Sequence, residues 1–193
     1  MISKIFILLK GHCLLPYWTF ALFLFLLCSN VLATDIRRAE IILQDNSYIL
    51  SADIDYQLSE KAREALQNGV PLFWILHVKV TQQRHNLWDK ILAELTMRYR
   101  IQYHALLNMY RVKNEYSGAV DNFSTLSAAL DWMSTIRNVQ ILDRDEIEPL
   151  KHYVVAIKVH FDRDALPLPL RPVAYINSQW YLSSDWTVWP LKK

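Results

Sequence analysis

Apolar and polar residues alternate along most of the chain after residue 34. A period of two is typical of strands that bury one face and expose the other. The clearest segment is 95–104, in which the apolar positions Leu95, Met97, Tyr99, Ile101 and Tyr103 alternate with Thr96, Arg98, Arg100, Gln102 and His104. We expect this strand to pair with residues 109–116 through a turn at 106–108.

The same alternation predicts further strands at 38–44, 48–58, 72–81, 153–161, 173–176 and 180–188. The sequence Asp45-Asn46-Ser47 separates the first two and is a plausible hairpin turn. In the last segment, Trp180, Leu182, Trp186 and Val188 are expected to face the core.

Two segments have helical periodicity instead. Residues 60–68 follow Ser59 as N-cap and precede Gly69, with Ala62, Ala65 and Leu66 as the inner stripe. Residues 124–137 have Ser124 as the expected cap, with an inner stripe that runs from Leu126 to Ile136. The charged stretch 143–151 is predicted to be a solvated loop.

These elements indicate an α+β fold that is predominantly antiparallel β. Seven or eight strands in a sandwich or a strongly curved sheet, with two helices on one face or end, fit the pattern best. Hairpin-length connections disfavour a parallel sheet, which needs long crossovers.

The first 33 residues predict export. Lys4 and Lys10 precede an apolar run, no acidic residue is present, and Val31 and Ala33 suit the −3 and −1 positions of signal peptidase cleavage. We therefore expect a signal helix at 1–33, cleavage after Ala33, and one periplasmic β-rich domain at 34–193. An uncleaved inner-membrane anchor is the alternative, because residues 13–33 approach the roughly 20 residues that a membrane helix needs. In both cases the positive-inside rule places the folded part in the periplasm.

Composition excludes several kinds of chemistry. Both cysteines, Cys13 and Cys28, lie in the leader, so the domain that follows has no thiol for catalysis or zinc binding. Removal of Lys4 and Lys10 lowers Lys+Arg from 21 to 19, against 19 Asp+Glu, so this domain has a formal charge of zero. We expect no nucleic-acid partner. The three glycines are too far apart for a phosphate-binding loop, and we expect no cofactor.

Several short motifs in order resemble one family. They are Asn68-Gly69-Val70-Pro71-Leu72, Arg98-Tyr99-Arg100-Ile101-Gln102-Tyr103, Tyr110-Arg111-Val112, Phe123-Ser124-Thr125-Leu126, Leu166-Pro167 and Trp180-Tyr181-Leu182-Ser183-Ser184-Asp185-Trp186. Together they resemble the proteobacterial, exported domain of unknown function 4390. The resemblance covers nearly all of the chain after the leader and implies no activity and no catalytic residue. It does suggest a partner, since genes of the family often neighbour a membrane sensor kinase, to which this domain would be accessory.

A candidate binding surface combines four cations. Arg98 and Arg100 share the outward face of one strand, and Arg111 and Lys113 share a face of its expected neighbour. Like charges on adjacent strands destabilise a sheet unless an anion intervenes. The anion could belong to a ligand, a lipid headgroup or a partner protein. Alternatively, Asp53, Asp55 or Glu115 of the same chain balances the cations.

The polar face of the last predicted strand carries Tyr181 and Trp189, two aromatic residues that could stack on sugars or peptides. Packing against the proline-rich segment 166–172 is the competing interpretation. We expect no metal site, because no two of the histidines after the leader have helical i, i+4 or His-x-His spacing.

We therefore expect a non-enzymatic interaction module of the cell envelope that binds an envelope protein or an anionic envelope component. Membrane contact is expected only through the N-terminal segment, if it stays uncleaved. Two alternatives stay open. One is an envelope hydrolase or carbohydrate-active protein that uses Asp53, Asp55 and Asp185 in one pocket with Tyr181 and Trp189. The other is a lipid carrier with an apolar cavity.

Overall fold

The computed structural model describes residues 34–192 except Asn86. The strands are β1 (Asp35–Gln44), β2 (Ser47–Asp55), β3 (Leu72–Gln83), β4 (Lys90–His104), β5 (Met109–Asn114), β6 (Val120–Phe123), β7 (Thr135–Asp143), β8 (His152–Phe161) and β9 (Thr187–Pro190). The helices are α1 (Glu60–Gln67), α2 (Leu126–Ser134) and α3 (Arg171–Ile176). Short 3-10 turns lie at Arg144–Glu146, Arg163–Ala165 and Ser178–Trp180.

The strands form two antiparallel sheets. The smaller has the order β1-β2-β7 and the larger the order β6-β5-β4-β3-β8-β9. One apolar core joins their inner faces; at its centre Trp74 of β3 packs edge-on against Tyr56 and lies 5.1 Å from Phe161, centroid to centroid. The expectation of a mostly antiparallel β fold with helices is confirmed.

Strict alternation gives the correct buried face in β2, β3 and β8. Every second residue of β3 from Leu72 to Gln82 is buried, and the residues between them are half-buried. The predicted pairing of β4 with β5 is also confirmed, although β5 ends at Asn114 and not at residue 116. Alternation thus identifies both the strands and the side chains that point away from the core.

Helix α1 forms as predicted. The Ser59 side chain accepts a hydrogen bond from the Ala62 amide at 3.2 Å, and Ala62, Ala65 and Leu66 are buried. Gly69 has φ +80, a left-handed conformation that favours glycine directly after a helix.

The second helix is shorter than predicted. Thr125, not Ser124, is the N-cap of α2, and the helix ends at Ser134. Ile136 lies in strand β7, which the sequence pattern missed together with β6.

The C-terminal segment also departs from the prediction. Residues 173–176 belong to α3, whose first turn contains Pro172, and only Thr187–Pro190 forms a strand. Trp180 and Leu182 are buried as expected, but Trp186 and Val188 are exposed. The segment between Leu182 and Trp186 still runs alongside β8. The Ser183 hydroxyl accepts a hydrogen bond from the Phe161 amide at 2.9 Å, and the Ser184 hydroxyl accepts one from the Val159 amide at 2.8 Å.

The predicted signal helix and the cleavage position after Ala33 lie outside the described residues, as does an N-terminal anchor. Among residues 34–192 without Asn86, none of the helices has both the length and the apolar character needed to cross a membrane.

Candidate functional site: the outer face of the larger sheet

The four predicted cations lie together on the outer face of the larger sheet, the face turned away from the core. Strand register sets Arg100 opposite Lys113 and Arg111 opposite Gln102. Arg98 lies one row further along, opposite Ile75 of β3. Backbone pairing alone therefore brings the cations of β4 and β5 within cross-strand distance.

Arg98 is paired with two acids of its own chain. Its guanidinium contacts Asp162 Oδ2 at 2.8 Å and Glu115 Oε2 at 3.4 Å, and lies 4.3 Å from the centre of the Phe73 ring. Asp162 follows β8 and Glu115 follows β5, so this one side chain connects the ends of two strands. Of the three acids considered as balancing residues, Glu115 pairs with Arg98, and Asp162 is a second acid that sequence reasoning missed.

The other three cations have no such partner. Arg100, Arg111 and Lys113, which we call the basic patch, are half-buried side chains. Within the part of the chain that the structure describes, no carboxylate forms an ion pair with any of them. Arg111 donates only a neutral hydrogen bond, from Nε to Asn122 Oδ1 of β6 at 3.0 Å.

Asp53 and Asp55 do not balance these cations, because both lie in the smaller sheet. Asp53 is paired with Arg137, and Asp55 contacts Arg37 at 2.6 Å. A hydrogen bond from Gln57, and the nearby Arg37, hold the pKa of Asp55 below its usual value. Such a carboxylate stays ionised at neutral pH and is poorly suited to act as a general acid.

Asp53 lines a cavity of about 260 Å³ together with Arg38, Glu40, Ser51 and Arg137. The residues that line it do not include Asp55, Asp185, Tyr181 or Trp189. This cavity therefore does not bring together the residues that a pocket for hydrolysis would need.

Beside Arg98, the outer face continues across β3 and β8 as a compact cluster around Trp186. Lys79 Nζ lies 5.3 Å and Lys158 Nζ 5.9 Å from the centre of the Trp186 ring, and the His77 ring lies 6.4 Å away. Lys79 also pairs with Glu94 at 3.1 Å. The cations of this region are thus held by an aromatic ring and an acid of the same chain.

Two histidines of this cluster favour their neutral form. Burial, and then the nearby His160, lower the pKa of His77, while burial and Lys158 lower the pKa of His160. His160 Nδ1 lies 3.4 Å from the Ser183 hydroxyl. No group of three or more metal-ligating side chains occurs among the described residues.

The predicted aromatic pair does not form one surface. Trp189 lies opposite Val155 on the inner side of the sheet and packs against the core, which corrects its assignment to the polar face. Tyr181 precedes β9, is exposed, and donates a hydrogen bond from its hydroxyl to the Tyr175 carbonyl at 3.0 Å. Arg163 lies over both Tyr175 and Tyr181. Tyr181 therefore packs against α3, whose first two residues, Arg171 and Pro172, are the end of the proline-rich segment 166–172.

The basic patch is thus the part of the candidate site that no carboxylate in residues 34–192, Asn86 aside, compensates. Sequence reasoning identified its three members but could not separate them from Arg98. The missing signal was Asp162, which directly follows the alternating row of β8 but lies 64 residues from Arg98 in the sequence.

A family model described as "Domain of unknown function (DUF4390)" matches residues 33–190. No curated protein and no solved structure matches this chain significantly. The match covers both sheets, all three helices and the basic patch. The chain therefore belongs to the DUF4390 family.

Proposed function

We propose that this protein is a non-enzymatic interaction module of the cell envelope, and that its basic patch binds an anionic group of an envelope component. The observation that carries this proposal is the like-charged pair of Arg100 and Lys113, directly opposite each other on adjacent strands. Such a pair destabilises a sheet unless an acidic neighbour balances the charge. Arg98, two residues from Arg100 on the same strand, is balanced by Asp162, whereas the basic patch has no such acid among the described residues.

The chemistry of the patch favours carboxylate or phosphate groups. Arg100 and Arg111 each offer a planar guanidinium that can form two parallel hydrogen bonds to either group, and Lys113 adds a compact charge. Since the charges of the domain after residue 33 sum to zero, the attraction is local and not a property of the whole molecule. A partner that carries carboxylate or phosphate groups would be bound at the patch, and the rest of the domain, with no net charge, would repel it little.

The location follows from the leader. A basic start, an apolar run and small residues before Thr34 support export to the periplasm, with membrane contact confined to the N-terminal segment if it is retained. An envelope protein with an acidic surface, for example one working with a membrane sensor kinase, and an anionic lipid headgroup both fit this compartment. They share the chemistry that the patch would bind.

The proposal is tested by crosslinking in living cells. A photoreactive phenylalanine analogue replaces Val120, which is exposed and lies opposite Lys113. We expect a discrete crosslinked species with the wild-type patch and its loss in the triple variant Arg100→Gln, Arg111→Gln, Lys113→Gln.

The matched control removes the same charge elsewhere, through Arg63→Gln, Lys90→Gln and Arg144→Gln, three exposed cations outside the patch. This control variant should crosslink as the wild type does. A species that survives in the patch variant, or that disappears equally in the control, would show that the patch is not the binding surface.

A further inference from the structure

Among the described residues the two sheets have four edges, and three of these edges carry features that hinder pairing with another chain. Strands β6 and β9 are only 4 residues long, and β9 ends in Pro190. Strand β7 is longer, but its register shifts twice against β2, and Asn138 has φ 56. Short strands, prolines and bulges are the usual means of protecting an exposed edge.

The fourth edge, β1, is different. It is 10 residues long, and its only register shift against β2 lies between Ile36 and Arg38. From Arg38 to Gln44 the pairing is continuous and no proline interrupts it. Ile42 and Leu43 are 46% and 37% exposed in this stretch. A long, regular edge with exposed apolar residues is a site where another strand can be added.

We propose that β1 pairs with β1 of a second copy of this chain, antiparallel and centred on Ile41. This register uses the whole regular stretch, because Arg38 then lies opposite Gln44 of the second copy. On the inner side, Ile41 meets its own counterpart and Ala39 meets Leu43. Inward residues therefore face inward residues, as strand pairing requires.

Neighbouring registers are less favourable. Centring on Glu40 sets two glutamates directly opposite each other, which destabilises the pair. Centring on Ala39 brings the irregular backbone at Arg37 into the pairing. Centring on Ile42 shortens the regular overlap to residues 40–44. The register on Ile41 combines the longest overlap with no directly opposed like charges.

The result is one continuous sheet across two copies, built from the three strands of each smaller sheet. The basic patch lies on the other sheet and keeps its exposure. Self-pairing and anion binding are thus separate, and either can fail without the other.

The experiment uses single cysteines in the full chain, with Cys13→Ala and Cys28→Ala in every variant so that no other thiol remains. Ile41→Cys places two thiols opposite each other. Paired antiparallel residues have Cα atoms roughly 4.5 to 5.5 Å apart, and a disulfide spans about 4.4 to 6.8 Å. Gln44→Cys is the matched control on the same strand, since its counterpart lies about 20 Å away in this register.

We expect a reducible dimer of Ile41→Cys on a non-reducing gel of cells expressing the chain, in at least tenfold excess over Gln44→Cys. Equal dimer at both positions, no dimer at residue 41, or a disulfide to a different protein would each overturn the proposal.

A pair of substitutions at exposed Ile42 tests the register without relying on disulfide formation. In the proposed dimer this residue lies opposite Glu40 of the second copy. We expect Ile42→Glu to weaken the dimer of the purified full chain at least tenfold, and Ile42→Lys to preserve or tighten it, as measured by analytical ultracentrifugation. Equal effects of the two charges, or a wild-type chain that stays monomeric, would contradict this arrangement.

Discussion

Arg98 and Arg100 occupy the same face of the same strand, two residues apart, yet their surroundings differ. Arg98 contacts two carboxylates and an aromatic ring, whereas Arg100 faces Phe73 on one side and Lys113 on the other. The first arrangement stabilises the fold, because one cation connects the ends of β5 and β8. The second sets two like charges opposite each other, and no carboxylate of the described residues pairs with either of them. The comparison shows that the number of cations on a face is a poor guide to binding, while their lack of partners is a better one.

The largest expected effect is the difference in free energy of unfolding between a variant that lacks Arg98 and a variant that lacks Arg100. Arg98→Ala should lower the free energy of unfolding by about 1 to 3 kcal/mol, because it leaves the largely buried carboxylate of Asp162, 18% exposed, without its ion pair. Arg100→Ala should change it by less than about 0.5 kcal/mol. Urea unfolding of the two variants measures both values. Equal losses would remove the distinction between the two residues.

A smaller change in the free energy of unfolding, in the stabilising direction, is expected at Lys113. Lys113→Glu replaces a like-charged pair with an ion pair to Arg100, which should raise the free energy of unfolding by about 0.2 to 1 kcal/mol. The same variant should lose anion binding. Lys113→Gln, which removes the repulsion without adding attraction, should fall between the two. A destabilised Lys113→Glu would mean that the repulsion inferred from the register is absent.

The smallest effect concerns His77 and His160, in the part of the outer face around Trp186. Their pKa values lie below the ordinary 6.5, so the unfolded state takes up protons first. The stability they contribute is present above pH 6.5 and is lost as the pH falls toward their folded-state values. The lowered pKa of Asp55 matters only at lower pH. The stability that this carboxylate contributes is lost only as the pH falls below its ordinary pKa of 3.8.

We expect the double variant His77→Gln, His160→Gln to lose less stability between pH 7.5 and 5.5 than the wild type, in urea titrations at each pH. Parallel curves for the two proteins would show that these histidines do not titrate differently on folding.

Regular alternation made much of this fold predictable from the sequence. In β4 it fixed which residues point outward, and a short turn then fixed the pairing with β5, so the position of the basic patch followed from local rules. Residue pairs far apart in sequence could not be predicted in this way, and the contact of Arg98 with Asp162 is the main example.

The missed elements have physical causes as well. In β7 the residues that pair with the buried row of β2 are Ile136, Val139 and Leu142, which are three apart because two register shifts against β2 each add a residue. Ile136 also follows Met133 of α2 by three residues, so it continues the helical stripe, and the predicted helix therefore runs into this strand. Near the C-terminus, Pro172 was a usable signal for the start of α3. The reversed faces of Trp186 and Trp189 arise because serine side chains replace part of the strand pairing before β9.

The most direct test of the central claim is a binding titration of the purified full chain at low and at physiological salt. Two probes distinguish the source of the anion: an extended poly-glutamate peptide, and vesicles containing phosphatidylglycerol. The account predicts that at least one probe binds, that salt weakens the binding, and that the triple Arg100→Gln, Arg111→Gln, Lys113→Gln variant binds at least about tenfold more weakly, a difference of about 1.4 kcal/mol. Wild-type binding to neither probe, or equal binding by the triple variant and the wild type, would contradict it.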